Sequence, residues 1–571
     1  MDSPQLDQST KEAITALQES YVFTYMDKSA NNFMMMCKPY YVRFVLKDLG
    51  LLDSTASSDS PYARQHISKD ALVGLHSSLL AHSGFAKLSC KLPAYMATVK
   101  MHKSPVSFRF ITTTVNTTLT PMLTWCTRLL KSIERDICTL WSSTFRSLPE
   151  EPFSTPARPW ILRSTAAMIP ILNADNMRYT PFQFSTLQTH IETYDFERLY
   201  TNIPLSDLKE RIASLLQEIW SLHESRPHLE LKTRGKAHWL DTFPPVSNPS
   251  MSRVHRAYGQ DVYVVDLHTA TTIVCYVIDN AHLCVGDVIM RQVIGIGMGI
   301  NPAVYLANYF LFTYELAFVR RLVQAAIGTT VNALPLPSPS NVPGMPDIPN
   351  LAPAPPLTLM QTDIVSPAHA MTVLRAFWCM GRFIDDLCVI ANPFFPDLMY
   401  VNQVSHGLIG LYPPSLNLKL TSPMDPFAGR PFCDILIRAS FPGGRGPLTT
   451  ILYDKRRDPR FANITFVRFP HMSSLLSDSC KYNIFCSQWF RFVRITKDVD
   501  NFVLEVARLV LALYHKKYSI LRLFRTCRCC IGNTHIYMVT RRGQTFIRNY
   551  GVRLDGVSQD LICHVGQTGV F

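Results

Sequence analysis

Two adjacent aspartates, Asp385 and Asp386, stand between apolar, β-prone flanks in WCMGRFIDDLCVI. A third, Asp195, follows the run Ile191, Thr193, Tyr194 in HIETYDFERLYTNIPL. Between the two acidic sites lies the glycine-rich RQVIGIGMGINPAVYLANYFLFTYE. The apolar–Asp–Asp–apolar pattern predicts a hairpin that presents acids at the tip of buried strands. Beside a strand carrying a lone Asp, such a hairpin supplies the hard oxygen ligands that Mg²⁺ takes together with water and phosphate oxygens. Two such ions, ~3.5–4 Å apart, activate a 3′-hydroxyl and neutralise a triphosphate during an in-line displacement. Any one of these acids alone reads as a cap or turn residue. The ordered set, with Gly295, Gly297 and Gly299 opening a helix between the acids, is what points to chemistry.

The elements that must hold these residues follow from periodicity. Apolar residues recurring at three and four predict a helix over about 11–25. FMMMCKPYYVRFVLKDLG reads as a Met-rich buried strand running into a helix, FRFITTTV as a strand, and 121–145 as a helix. A short strand is expected to end at Asp195, with LYTNIPL leading into a turn and helix. The stretch 225–252 is rich in loop formers. Residues 334–359 hold nine prolines in 26 positions and should be a polyproline-like insertion.

Composition narrows the partners. The 571 residues carry 56 Lys and Arg against 43 Asp and Glu, a net charge of +13. Such a surplus favours an anionic partner, nucleic acid or an acidic membrane surface. The 47% apolar and 17% charged fractions exclude wholesale disorder. The N-terminal stretch is polar and mixed in charge, with no signal-peptide core, and no window reaches 18 uninterrupted apolar residues. Fifteen cysteines then read as reduced thiols in an intracellular protein. Cys527, Cys529 and Cys530, with His535, Cys563 and His564, are potential zinc ligands, yet C-x-C-C lacks the usual two-residue spacing. From Lys516 to Arg553 no acidic residue occurs, and Lys516, Lys517, Arg522 and Arg525 cluster behind a helical apolar stripe. A solvated helix face normally mixes signs, so this run favours a phosphate backbone.

Taken together, Asp195, the Gly-Met-Gly segment and Phe383-Ile384-Asp385-Asp386 resemble motifs A, B and C of reverse transcriptases. More narrowly, they resemble Penelope-like retroelement enzymes, relatives of telomerase. DFERLYTNIP is similar to the family's Asp followed by SLYTNIP-like residues, and GIGMGINPAVYLAN to GTxMGxPxxPxxAN. YMATVKMHKSPVSFRFI resembles PKxHKPxxPxRPI of the fingers. PFCDILI resembles FLDxxI, and LTTILYDKRRDPRFANI resembles LxTxLYxKPTDxxxYL. The likeness spans about 27–525. Ile296 replaces the motif B Thr, and Ile300 and Asn301 also depart from the pattern. The tail beyond the thumb-like part shows no GIY-YIG endonuclease pattern, so a complete chain of this length would not nick its own target that way.

The resemblance implies an α+β right-hand polymerase with fingers, palm and thumb, the palm being an antiparallel sheet backed by helices. It partitions the chain into an N-terminal extension and start of fingers (1–90), fingers (91–180), palm (181–440) and a palm end with basic thumb and tail (441–571). Its implied activity is RNA-directed DNA synthesis on an RNA template. The substrates are a DNA primer or target DNA and dNTPs, the cofactors two Mg²⁺ ions (or Mn²⁺). No membrane is involved, and residence is intracellular, in the nucleus. Asp195 and Asp385 are expected to bind both metals, Asp386 to support the site, and the Phe196 carbonyl to be a further ligand. Tyr200 stands where the family places the aromatic gate against a ribose 2′-hydroxyl. Lys100, Lys103 and Arg109 would grip triphosphate or template. Gln292, Gly297, Met298 and Gly299, with Asn301 behind them, would line the nucleotide pocket, and Lys419 would protonate pyrophosphate. Blander readings stand beside these: a core tyrosine, a solvated hairpin face and a snorkelling lysine. SQWFRFVRI reads as core packing or as a surface that tracks the primer. An RNA-directed RNA polymerase and a non-catalytic nucleic-acid-binding scaffold are the alternative functions.

Overall fold

The computed structural model describes residues 7–526 except 28, 53–59, 83–88, 102–104, 149–157, 177–190, 233–235, 243–253, 258–259, 329–364, 406, 422–428, 442–444, 458, 463 and 524. The Pro-rich stretch 334–359, Lys103 and the Cys527 cluster lie outside the described residues.

The acid-bearing segments form one four-stranded antiparallel sheet in the order Met380–Phe383, Asp386–Ile390, Ile191–Phe196, Leu418–Leu420. Strand alternation sends its two faces into two different cores. Tyr194, Phe196, Leu387 and Val389 join a cluster built around the long helix Ala303–Ala326 and the helices Thr120–Ser132, Leu205–Ser221 and Leu267–Asp279. Ile191, Cys388 and Ile390 join a second cluster with the helices Asp478–Ile495 and Val499–His515 and a three-stranded sheet, Arg430–Phe432, Ile435–Phe441, Arg445–Leu452. Burial on both faces locks the register. The outer edge is covered as well, since Leu162 donates to the Arg382 carbonyl and Arg382 donates to that of Trp160.

A seven-stranded sheet runs Ser29–Cys37, Tyr21–Met26, Ala94–Lys100, His282–Val285, Val288–Gln292, Tyr62–Gln65, with Ser107–Thr113 pairing Ala94–Lys100 off this path. The architecture is thus mixed α+β, with several small sheets backed by helices.

Four local expectations change. The first helix is Gln8–Ser20, and Tyr21–Met26 is a strand because Tyr21, Phe23 and Tyr25 alternate with Thr24 and Met26 facing the core. The Met-rich strand is an edge whose alternate residues, Phe33 and Met35, are exposed, with helix Lys38–Asp48 following as expected. The 121–145 helix is two, Thr120–Ser132 and Glu134–Ser143, broken at Ile133. The 225–252 stretch contains strands His228–Lys232 and His238–Leu240, which belong to a four-stranded sheet. In HLELK, Leu229 and Leu231 alternate with polar residues, and that short signal wins over the surrounding loop formers. Among the described residues every cysteine is free, and no helix is long and apolar enough to cross a membrane.

Candidate active site

Asp195 and Asp386 are register partners across the central strand pair, and Phe383 pairs Asp386 at the head of the hairpin. Ile384 and Asp385 therefore form a two-residue turn, with Ile384 at φ +60°. That left-handed conformation is costly for a β-branched residue, on the order of 1–3 kcal/mol. Two hydrogen bonds hold it: Phe196 N–H donates to the Asp385 carbonyl, and an Arg382 Nη1 donates to that of Ile384, both at 3.1 Å. By alternation Asp195 and Asp386 share the face that carries Ile191, Cys388 and Ile390 lower down.

Electrostatics follow from that placement. Burial, then the charges of Asp385 and Asp386, push the Asp195 carboxyl up to about 6. Burial and Asp386 also raise Asp385, while Arg109 and Lys455 oppose the rise. The Asp195 carboxylate accepts no hydrogen bond from a described residue, and the Lys455 charge opposes its rise. Among the described residues, no group of three or more His, Cys, Asp or Glu is gathered closely enough to hold an ion unaided.

The glycine segment is fixed against both neighbours. Gly295 (φ +84°) lies so close to Tyr200 that a Cβ there would sit 2.3 Å from its carbonyl oxygen, and Ile296 N–H donates to that oxygen. Gly299 (φ +102°) leaves no more room, as its Cβ would lie 2.5 Å from the Thr112 oxygen. Thr112 N–H in turn donates to the Met298 carbonyl at 2.6 Å. Only glycine fits such approaches. Gln292 is buried and donates to the Ile294 carbonyl. Gly297 faces the Gln292 Oε1. Asn301 is exposed, 3.5 Å from the Thr124 hydroxyl.

Tyr200 is half-buried. Burial and the nearby Asp385 charge raise its hydroxyl to about 12, so it stays protonated beside the acids. Arg109 is half-exposed and pairs with the buried Asp27 at 3.1 Å. Lys100 lies at the end of the partner strand, opposite Ser107. Lys419 is the register partner of Asp195 on its other side, with its Nζ 3.4 Å from Glu197 and its side chain 66% exposed.

Lys516 and Lys517 follow the helix Val499–His515. Arg522 pairs with Asp478 at 3.0 Å and covers the Tyr482 ring, and Arg525 is exposed. In SQWFRFVRI, Trp489 and Phe492 are core, Phe490 is exposed, and Arg491 pairs with Asp434.

Sequence reasoning missed several groups at the centre. A cavity of about 540 Å³ opens beside Asp386, lined by Cys433, Arg163, Lys455, Arg456 and Arg491 among others. Cys433 donates its thiol to Asp386 at 3.1 Å. Lys455 makes no ion pair among the described residues, and its charge counteracts the rise at Asp195. Lys455 lies within the quoted LYDKRRD segment, the one signal that marked it. Behind the hairpin, Arg382 and Glu315 form a fully buried ion pair at 2.6 Å. Each is the lone charge in an apolar run, which is the pattern that could have paired them.

No family model matches the chain, and no curated protein does. Among solved structures, the chain is similar to telomerase from Candida albicans in complex with a TWJ fragment of telomeric RNA, at 8% identity and a TM-score of 0.46, over 91% of this chain and 68% of that one. Apo telomerase from Candida tropicalis gives 9% identity and 0.41, over 92% and 72%. The likeness is remote, and it fixes neither a reaction nor a partner.

Proposed function

We propose that the chain is an RNA-directed DNA polymerase that extends a primer 3′-hydroxyl with dNTPs. The observation that carries this reading is the carboxylate cluster. Asp195 and Asp386 are held opposite one another, Asp385 occupies the adjoining turn, and burial together with the charges of Asp385 and Asp386 raises the Asp195 carboxyl to about 6. Acids forced together on strands locked by two cores invite a cation.

The donors suit Mg²⁺. They are carboxylate oxygens, the hard donors that Mg²⁺ takes one or two at a time with substrate phosphates completing its octahedron. Asp195, Asp385, Asp386 and the Phe196 carbonyl would hold two ions, with Mn²⁺ able to replace them. When bound, they supply Lewis-acid activation of the 3′-hydroxyl and neutralisation of the pyrophosphate.

The chain's own residues then divide the remaining work. Arg109, oriented by Asp27, grips the triphosphate with Lys100 and Lys103. The Tyr200 ring excludes a 2′-hydroxyl, because its carbonyl is tied to the glycine segment and its hydroxyl lies in the field of Asp385. Gln292, Gly297, Met298 and Gly299 shape the nucleotide pocket. Lys419 reaches the leaving group, since its exposed pair with Glu197 is weak. Lys516, Lys517 and Arg525 hold the hybrid's phosphates, with Arg522 contributing only by releasing Asp478. In this reading 91–180 act as fingers, 181–440 as palm and 441–571 as palm end and thumb.

Extension of a DNA primer on an RNA template with Mg²⁺, dNTPs and rNTPs supplied in parallel, tests the proposal. Extension restricted to dNTPs is expected. A preference for rNTPs would make the chain an RNA polymerase, and tight hybrid binding without extension would make it a scaffold.

A further inference from the structure

Arg382 lies three residues before Asp385 and is fully buried, as are its partner Glu315 and Tyr412. All five of its N–H groups are used. Nε donates to Glu315 Oε1 (2.6 Å) and Nη2 to Glu315 Oε2 (3.3 Å). Nη1 donates to the Asn308 side-chain oxygen (2.8 Å) and Nη2 to the Asn308 carbonyl (3.1 Å). The remaining Nη1 bond reaches the Ile384 carbonyl at 3.1 Å. Tyr412 donates its hydroxyl to Glu315 at 2.9 Å. A guanidinium has five donors in one rigid fork, so this arrangement admits one orientation.

The geometry points to Arg382 as a positioning residue for Asp385, with Glu315, Asn308 and Tyr412 keeping its guanidinium aimed. The fork is anchored by four bonds to the helix Ala303–Ala326, and the fifth fastens the Ile384 peptide in its left-handed conformation. That peptide determines where the next residue, Asp385, presents its carboxylate and whether its carbonyl meets the Phe196 N–H. A buried ion pair is poor evidence of stabilisation, because apolar residues of similar volume often fold as well or better. The physical account of this pair is therefore the place of the hairpin tip. Arg382 is fully buried with its donors all engaged by protein atoms, so it acts on the site through the hairpin. Its consequence for polymerisation rests on the function proposed above, but its effect on the hairpin does not.

The test removes the network without leaving a buried charge. The variant Arg382→Met with Glu315→Leu and Tyr412→Phe, and separately Arg382→Lys, are compared with the full wild-type chain. Three readouts are taken: the thermal midpoint, metal-free hydrogen exchange at the Phe196 amide, and Mn²⁺ affinity by paramagnetic resonance. The expected result is a triple variant that melts no lower than wild type. Its Phe196 amide exchanges at least about tenfold faster, and its Mn²⁺ affinity falls about 10–100-fold, the usual effect of disturbing groups that orient metal ligands. Arg382→Lys should show the same exchange defect, since three rotatable donors cannot reproduce the fork. A folded triple variant with wild-type exchange and affinity overturns the inference, as does a wild-type Phe196 amide that exchanges freely. Should the triple variant fail to fold, Arg382→Lys decides by the same readouts. A wild type that extends no primer overturns the polymerase reading alone.

Discussion

Replacing Asp195 by Asn should make the protein harder to unfold at neutral pH while removing the proposed activity. Burial and two neighbouring acids raise the Asp195 carboxyl from 3.8 to about 6. A carboxyl raised in the folded state binds its proton more tightly there than in the unfolded chain. Its contribution is therefore fully present below about pH 4 and is lost as pH climbs through about 6. Ionising it in place costs roughly 3 kcal/mol at about 1.36 kcal/mol per pH unit. Asp195 is partly solvent-facing, so screening reduces this to about 1.5 kcal/mol. Asn keeps the shape, breaks no hydrogen bond to a described residue and carries no charge. In urea unfolding with EDTA, Asp195→Asn should thus gain about 1.5 kcal/mol at pH 7.5 and little at about pH 3.5. Adding Mg²⁺ should stabilise the wild type and leave the variant unchanged. A variant no more stable than wild type at pH 7.5, or equally favoured at both pH values, would refute the reasoning.

Other perturbations separate the parts of the site. Tyr200→Val should raise rNTP incorporation relative to dNTP by about 10–100-fold, the scale of a steric difference of roughly 1–3 kcal/mol, read by single-nucleotide addition. Gly299→Ala places a Cβ against the Thr112 carbonyl at φ +102° and should destabilise by about 1–3 kcal/mol in denaturant melts. Gly297→Ala meets side chains at 3.3 and 3.4 Å, so it should melt nearly as wild type and show its defect in the KM for dNTP. Lys455→Ala removes a charge that lowers both Asp195 and Asp385, so the acid limb of the kcat/KM profile against pH should move to higher pH.

The centre of the site was readable because its signals are local. Apolar flanks around Asp385 and Asp386 give a hairpin, alternation at Ile191, Thr193 and Asp195 gives its partner strand, and glycines at 295 and 299 mark close backbone approaches. What was unreadable depends on distant segments. The side chain of Arg109 is held by Asp27, 82 positions away along the chain, and Cys433 meets Asp386 only because a second hairpin packs over the first. Arg382 and Glu315 looked like isolated charges in apolar runs, and only folding brings them together. The misread helix end at Tyr21 has a similar cause, since its alternating pattern fits a strand only once the Ser29–Cys37 strand supplies a partner.

The most direct measurement is single-turnover extension of a DNA primer on an RNA template with Mg²⁺ and dNTPs, wild type beside Asp385→Asn. Extension by the wild type and a loss of at least about 10³-fold in the variant are expected, because a group holding the metal acts only through the transition state. Equal extension by both proteins would contradict that role.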